Sequence, residues 1–157
     1  MQKEPITQTG LERLQAEIHR LKTQERPRVI KAIAEARAHG DLKENAEYAA
    51  AKEKQGLLEA RLRDLEHLLA MAEVIDHQSI RSETIAFGAT VTIFDVNLQK
   101  ERRFQIVGKF ETDVPAGKIP IASPIARALI GKRVGDLAMI QVPKGLQEFE
   151  ILKIEYI

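Results

Sequence analysis

Leu11, Leu14, Ile18 and Leu21 stand three, four and three residues apart, a spacing that draws one narrow apolar stripe along a helix and fits no strand. A second stripe runs through Tyr48, Ala51, Leu58, Leu62, Leu65, Leu69 and Ala72, with polar Gln55 at the seam position between Ala51 and Leu58. Both stripes are too narrow to leave a second apolar face, so the two helices must bury their seams against each other. Only His39-Gly40-Asp41 separates them, which is room for a tight reversal and makes the helices antiparallel. Gly40 suits the left-handed position that closes a helix. Helices of about 28 to 30 residues would be about 40 to 45 Å long, a rod with solvated sides. Ala32, Ala36, Ala46, Ala50 and Ala51 narrow the seam toward the reversal.

Ile6 and Leu11 are placed as a hydrophobic staple around Thr7 as N-cap, while Thr9 with Glu12 has the form of a capping box, so the spacing leaves two starts open. Pro27 interrupts the first stripe, which resumes with Val29, Ala32, Ile33 and Ala36; one helix with a bend or a loosened turn is expected.

After Asp76 the period changes to two. Ala89, Val91 and Ile93 face one side of a strand and Thr90 and Thr92 the other. Residues 103–107, 118–122, 137–142 and 148–156 read as further strands, Pro143-Lys144-Gly145 as a turn, and the slip in alternation between Ile151 and Leu152 as a bulge. Ser123 as N-cap, Pro124 at the first helical position and Gly131 as the stop enclose one short helix. The fold class is therefore α+β: an antiparallel coiled-coil hairpin over residues 1–76, then a small mixed domain over residues 77–157, large enough for one core.

Composition removes several function classes. The 24 basic and 23 acidic residues nearly cancel, so no global field draws the chain to DNA or an anionic membrane. The chain has no cysteine, which eliminates disulfides, thiolate metal sites and thiol nucleophiles. Aromatic residues are 4% of the total, too few for base-stacking platforms or an aromatic-lined small-molecule pocket. No signal peptide is read at the N-terminus, and no run approaches the roughly 18 apolar residues of a membrane span, so a cytoplasmic protein is expected. His19, His39, His67 and His77 show no metal-ligand spacing with one another.

The chemistry that remains lies at the reversal, where Asp41, Glu44 and Glu47 fall within seven residues. Asp41-x-x-Glu44 has the form of a capping box that satisfies free amides at a helix start. The same two carboxylates, a turn apart, also suit one hard cation such as Mg²⁺, but they supply too few ligands for a tight site. On the second reading the tip is half an active site, completed by phosphates or another protein.

The run His39-Gly40-Asp41-Leu42-Lys43-Glu44-Asn45-Ala46-Glu47-Tyr48 resembles the tip of the Gre family of transcript cleavage factors. The resemblance continues through Phe87-Gly88-Ala89-Thr90-Val91, Ile106-Val107-Gly108, the segment from Ser123 to Gly131 and Ile154-Glu155-Tyr156, and spans nearly the whole chain. It implies a hairpin that enters the secondary channel of bacterial RNA polymerase and an FKBP-like C-terminal domain that docks on the channel rim. It implies that the chain is not itself an enzyme but stimulates the polymerase's cleavage of backtracked nascent RNA near its 3′ end. Asp41 and Glu44 are then the catalytic carboxylates, sharing a Mg²⁺ with the polymerase that the isolated protein does not bind tightly. Arg37 and Lys52 flank the tip and are candidates for contact with phosphates of the extruded RNA, against a reading as solvated surface charges. Ser123 and Pro124 are both a cap pair and a candidate polymerase-docking edge. A regulatory or inhibitory Gre paralogue without cleavage activity is the alternative, and a prolyl isomerase-like module a weaker one.

Overall fold

Elementary caps and periods account for most of what the computed structural model contains; it describes residues 3–40 and 45–157. In chain order the elements are β1 (Glu4–Ile6), α1 (Gln8–Arg20), a π-helical turn (Leu21–Glu25), α2 (Arg26–Arg37), α3 (Ala46–Met71), β2 (Ala72–Val74), β3 (Thr90–Asp95), β4 (Lys100–Val107), β5 (Lys118–Pro120), α4 (Pro124–Leu129), β6 (Leu137–Val142) and β7 (Gly145–Glu155). The chain divides into two compact units. Leu11–Met71 forms one; the stretch up to Gly10 joins Ala72–Ile157 in the other.

This division differs from the boundary at residues 76 and 77 read from the sequence. β1 pairs in parallel with β2, Glu4 opposite Ala72 and Ile6 opposite Val74, and the Ile75 N–H extends the pairing to the Ile6 carbonyl. Three-residue strands lie below the window in which a period of two is detectable, so both were missed, and Ala72 is a strand residue rather than the end of the seam.

In the helical unit, Leu14, Ile18, Leu21, Val29 and Ala36 are buried on one arm and Ala51, Leu58, Leu62 and Leu65 on the other. Ala32, Ala46 and Ala50, expected in the seam, are exposed. The π turn explains the shift on the first arm. A strict 3.5-residue repeat continued from Leu21 would bring residues 28, 32 and 35 to the seam, whereas Val29 and Ala36 are the buried ones. The Arg26 N–H bonds back five residues to the Leu21 carbonyl, so the wider turn takes up one extra residue and moves the register by one. It ends just before Pro27, which has no N–H to donate and whose ring crowds the carbonyl four residues earlier. The loosened turn expected at the proline is this one. Across the arms Lys22 meets Glu66 at 2.8 Å, and Arg26 makes a two-pronged contact with Glu59 at 2.9 Å per arm. These bridges are solvent-accessible and screened by water, so the seam dominates the energetics.

In the other unit a five-stranded sheet has the order β5-β4-β3-β7-β6, antiparallel throughout except for the parallel pair β4–β5. Val91, Ile93, Ile106, Ile119, Ala138, Phe149 and Ile151 form the core with Ala126 and Leu129 of α4. The expected bulge is present: Thr92 pairs with Lys153 and Ile93 with Ile151, so Leu152 is the unpaired extra residue. Ser123 caps α4 by accepting the Ala126 N–H at 3.2 Å, and Pro124 occupies the first turn.

The start of α1 is built from residues far apart in sequence. Thr7 is the N-cap, its hydroxyl accepting the Gly10 N–H at 3.0 Å, which decides between the two starts that the sequence left open. In a capping box the residue three after the cap returns a carboxylate to the cap's own N–H. Here that residue is Gly10 and the carboxylate comes from Glu111, 104 positions away, which accepts the Thr7 N–H at 2.9 Å and the Thr7 hydroxyl. A Cβ at residue 10 would lie 2.3 Å from Glu111 Cδ, so glycine there makes room for the carboxylate.

Candidate functional site

Among the described residues, three side-chain contacts join the arms at the tip of the helical unit. α2 ends at Arg37, and the Ala38, His39 and Gly40 N–H groups bond back to the carbonyls of residues 34–37; Gly40 has φ of +108°, a conformation that disfavours any residue with a Cβ. α3 begins at Ala46. Its N-cap is Asn45, whose side-chain oxygen accepts the Tyr48 N–H at 3.0 Å. The same side chain's Nδ2 donates to the Ala36 carbonyl at 2.6 Å, a last-turn carbonyl of α2 that also accepts the His39 N–H at 3.1 Å. One amide thus serves a donor at one helix end and an acceptor at the other.

Asp41 and Glu44 lie outside the described residues. Asn45 bears directly on their bland reading, because the helix start that Asp41-x-x-Glu44 spacing offered to cap already has its cap. Asparagine is among the preferred N-caps and stands three residues before Tyr48, so the signal for Asn45 was in the sequence; the more conspicuous acids drew attention from it.

The remaining cross-tip contacts are ionic and aromatic. His39 Nε2 lies 3.6 Å from Glu47 Oε2, with both side chains exposed. The Arg37 guanidinium lies over the Tyr48 ring at 5.9 Å from its centroid, near the outer limit of a cation–π contact. Lys52 is one turn beyond Tyr48 and therefore on the same helix face, with Nζ 3.2 Å from Gln55 Oε1. Tyr48 brings the two candidate phosphate contacts, Arg37 and Lys52, to one side of the hairpin. Both are exposed, as an electrostatic contact requires. Ser123 and Pro124 lie in the sheet unit; the serine hydroxyl is engaged in its cap and the proline ring is exposed.

Among the described residues no group of three or more His, Cys, Asp or Glu side chains is arranged to hold a metal ion. The donor set at the tip is nevertheless chemically suited to Mg²⁺, since carboxylates are hard oxygen ligands and this ion keeps several waters for other partners to replace. Among the described residues no helix is long and apolar enough to cross a membrane.

Residues 4–74 match the family model described as "Transcription elongation factor, N-terminal", and residues 80–156 the model described as "Transcription elongation factor, GreA/GreB, C-term". Similar curated proteins bear the name Transcription elongation factor GreA. That of Phenylobacterium zucineum is 50% identical over all of both chains, that of Chelativorans sp. 53% identical over 99% of each, and that of Neisseria meningitidis serogroup A 52% identical over all of both. Among solved structures, GreA factor homolog 1 of Thermus thermophilus is 30% identical over 98% of this chain and 99% of its own, with a TM-score of 0.46. With both halves matched and identity near one half along its full length, the chain belongs to the GreA/GreB family of transcription elongation factors.

Proposed function

We propose that this protein binds bacterial RNA polymerase in the cytoplasm, inserts the hairpin tip into the secondary channel, and stimulates cleavage of backtracked nascent RNA near its 3′ end. The observation that carries the reading is the tip itself: two helix ends, Arg37 of α2 and Ala46 of α3, that Asn45 ties together on either side of the sequence positions of Asp41 and Glu44, with the cap of α3 provided by Asn45. Since Asn45 caps α3, the cap of that helix does not require either carboxylate, and both are proposed to serve a partner's reaction centre. A Mg²⁺ held jointly with the polymerase would stabilise charge on the attacking and leaving oxygens of the phosphodiester. Asp41 and Glu44 are the residues that would hold it and orient the attacking water; each alone is too few ligands, which is why the polymerase must complete the site. Arg37 and Lys52 would meet RNA phosphates on the face that Tyr48 sets, without regard to base identity. The exposed ring of Pro124, beside Ser123, would contribute to docking on the polymerase.

The test adds the purified protein and Mg²⁺ to a stalled, backtracked polymerase complex carrying 5′-labelled RNA, with Asp41→Asn alongside. Shortened RNA with the natural protein only, at equal polymerase binding, is the expected result. Binding without cleavage by either protein would make the chain a regulatory factor that occupies the polymerase without contributing to its chemistry.

A further inference from the structure

The double bond made by Asn45 reaches further than helix capping. An N-cap needs only an acceptor, and serine, aspartate and asparagine serve nearly equally well. Asn45 supplies the acceptor, to the Tyr48 N–H, but it also supplies a donor to the Ala36 carbonyl across the hairpin; a hydroxyl can accept and donate only from one short-armed oxygen, whereas the amide does so from two separate atoms. The two bonds fix the amide's orientation, since each demands the opposite atom of the CONH₂ group. Nothing else among the described tip contacts joins the last turn of α2 to the first turn of α3 at comparable distance: His39 and Glu47 are 3.6 Å apart and exposed, and Arg37 stands 5.9 Å from the Tyr48 centroid. The chain leaves α2 just after Ala36 and returns at Asn45, so this amide fixes the separation of the two ends between which Asp41 and Glu44 are carried.

We infer that Asn45 is a positioning residue for the tip carboxylates, acting through the Ala36 carbonyl rather than through its cap of α3. The inference rests on the cleavage reading proposed above. It requires that the donor arm, and not the cap, be what cleavage depends on. A serine at residue 45 retains the cap, adds no charge and has no arm that reaches Ala36; an alanine lacks both functions.

Two measurements on the full-length protein test it. Amide hydrogen exchange of the free protein reports the fastening directly: Asn45→Ser should speed exchange about tenfold or more at the end of α2, in the N–H groups of residues 38–40, while the Tyr48 amide stays protected. In the backtracked-complex assay, the same variant should bind polymerase as the natural protein does yet lower the maximal stimulated cleavage rate about 10- to 100-fold, the loss expected when reacting groups are displaced by about 1 Å. Asn45→Ala should add exposure of the Tyr48 amide without a comparable further loss of cleavage. Unchanged exchange at residues 38–40 in Asn45→Ser would overturn the fastening whatever the cleavage result. Faster exchange with undiminished cleavage would overturn the positioning role. If the natural protein itself stimulates no cleavage, the functional reading fails and the positioning role with it, while the exchange data still report whether Asn45 joins the two helix ends.

Discussion

Replacing Gly10 by alanine sets two physical effects of opposite sign against each other. Residue 10 lies in the first turn of α1, and alanine is favoured over glycine in a helix by up to about 1 kcal/mol. By propensity alone the variant is stabilised. The new Cβ, however, would lie 2.3 Å from Glu111 Cδ and 2.5 Å from Oε1, separations that no side chain tolerates, so the carboxylate must withdraw. Its withdrawal strands the Thr7 N–H and hydroxyl, on a residue only 3% exposed. Each buried polar group left without its partner costs about 1–3 kcal/mol. With two groups stranded and the propensity gain subtracted, the net loss is about 1–5 kcal/mol, or a fall in Tm of about 2–20 °C for a chain of this size. Thermal unfolding of the natural protein, Gly10→Ala, Glu111→Ala and the double variant completes a mutant cycle. Once Glu111 has been shortened the Cβ meets no carboxylate, so Gly10→Ala should stabilise the Glu111→Ala background by up to about 1 kcal/mol. A rise in Tm on introducing Gly10→Ala into the natural protein would refute the claim that a distant carboxylate completes this cap.

Two further outcomes follow from ionisable groups that the fold engages. The hydrogen bond from Arg26 holds the Glu59 carboxyl below its ordinary value of 4.5, so its contribution to the hairpin is complete above that value and is lost as pH falls through the lower, folded-state value. Far-UV circular dichroism during acid titration should show Glu59→Gln with less loss of helix below pH 4.5 than the natural protein, relative to each protein's signal at neutral pH. Burial pushes the Tyr156 hydroxyl above its ordinary value of 10.0, while the hydroxyl donates to the Thr84 carbonyl at 2.6 Å and accepts the Ala86 N–H at 3.0 Å. Tyr156→Phe should cost about 1–2 kcal/mol in denaturant unfolding. It should also remove the part of alkaline destabilisation that sets in as pH rises through the folded-state value above 10.0.

The long seam was legible because it is written in local periodicity. Leu14, Ile18, Leu58, Leu62 and Leu65 recur at spacings that only a paired helix satisfies, and the structure buries them. The same holds for α4, whose Ser123 cap, Pro124 start and Gly131 stop are local instructions, and for Leu152, whose broken alternation marked the bulge. Gly131 has φ of +85°, as a helix stop demands. The candidate acids stand out in the sequence as three carboxylates at a reversal between two seams, and the role of Asp41 and Glu44 there belongs to the proposal above. Asn45 carries a local cap signal too, three residues before Tyr48, but Asp41-x-x-Glu44 offers a competing one that spacing alone does not rank below it.

Tertiary structure decided what local pattern does not encode. β1 and β2 are three residues each and exist only because two stretches on either side of the helices in sequence pair with each other, which moves the stretch up to Gly10 into the sheet unit. Pro27 marks a loosened turn in the sequence, but its π-helical form and the one-residue shift of the buried seam to Val29 and Ala36 are seen only in the folded hairpin. The cap of α1 combines Thr7 and Gly10 with Glu111, and no window of sequence holds all three. Local signals act within about one turn of chain, where ordering entropy is small, whereas contacts separated by a hundred residues form only after the rest of the fold has already brought their elements together.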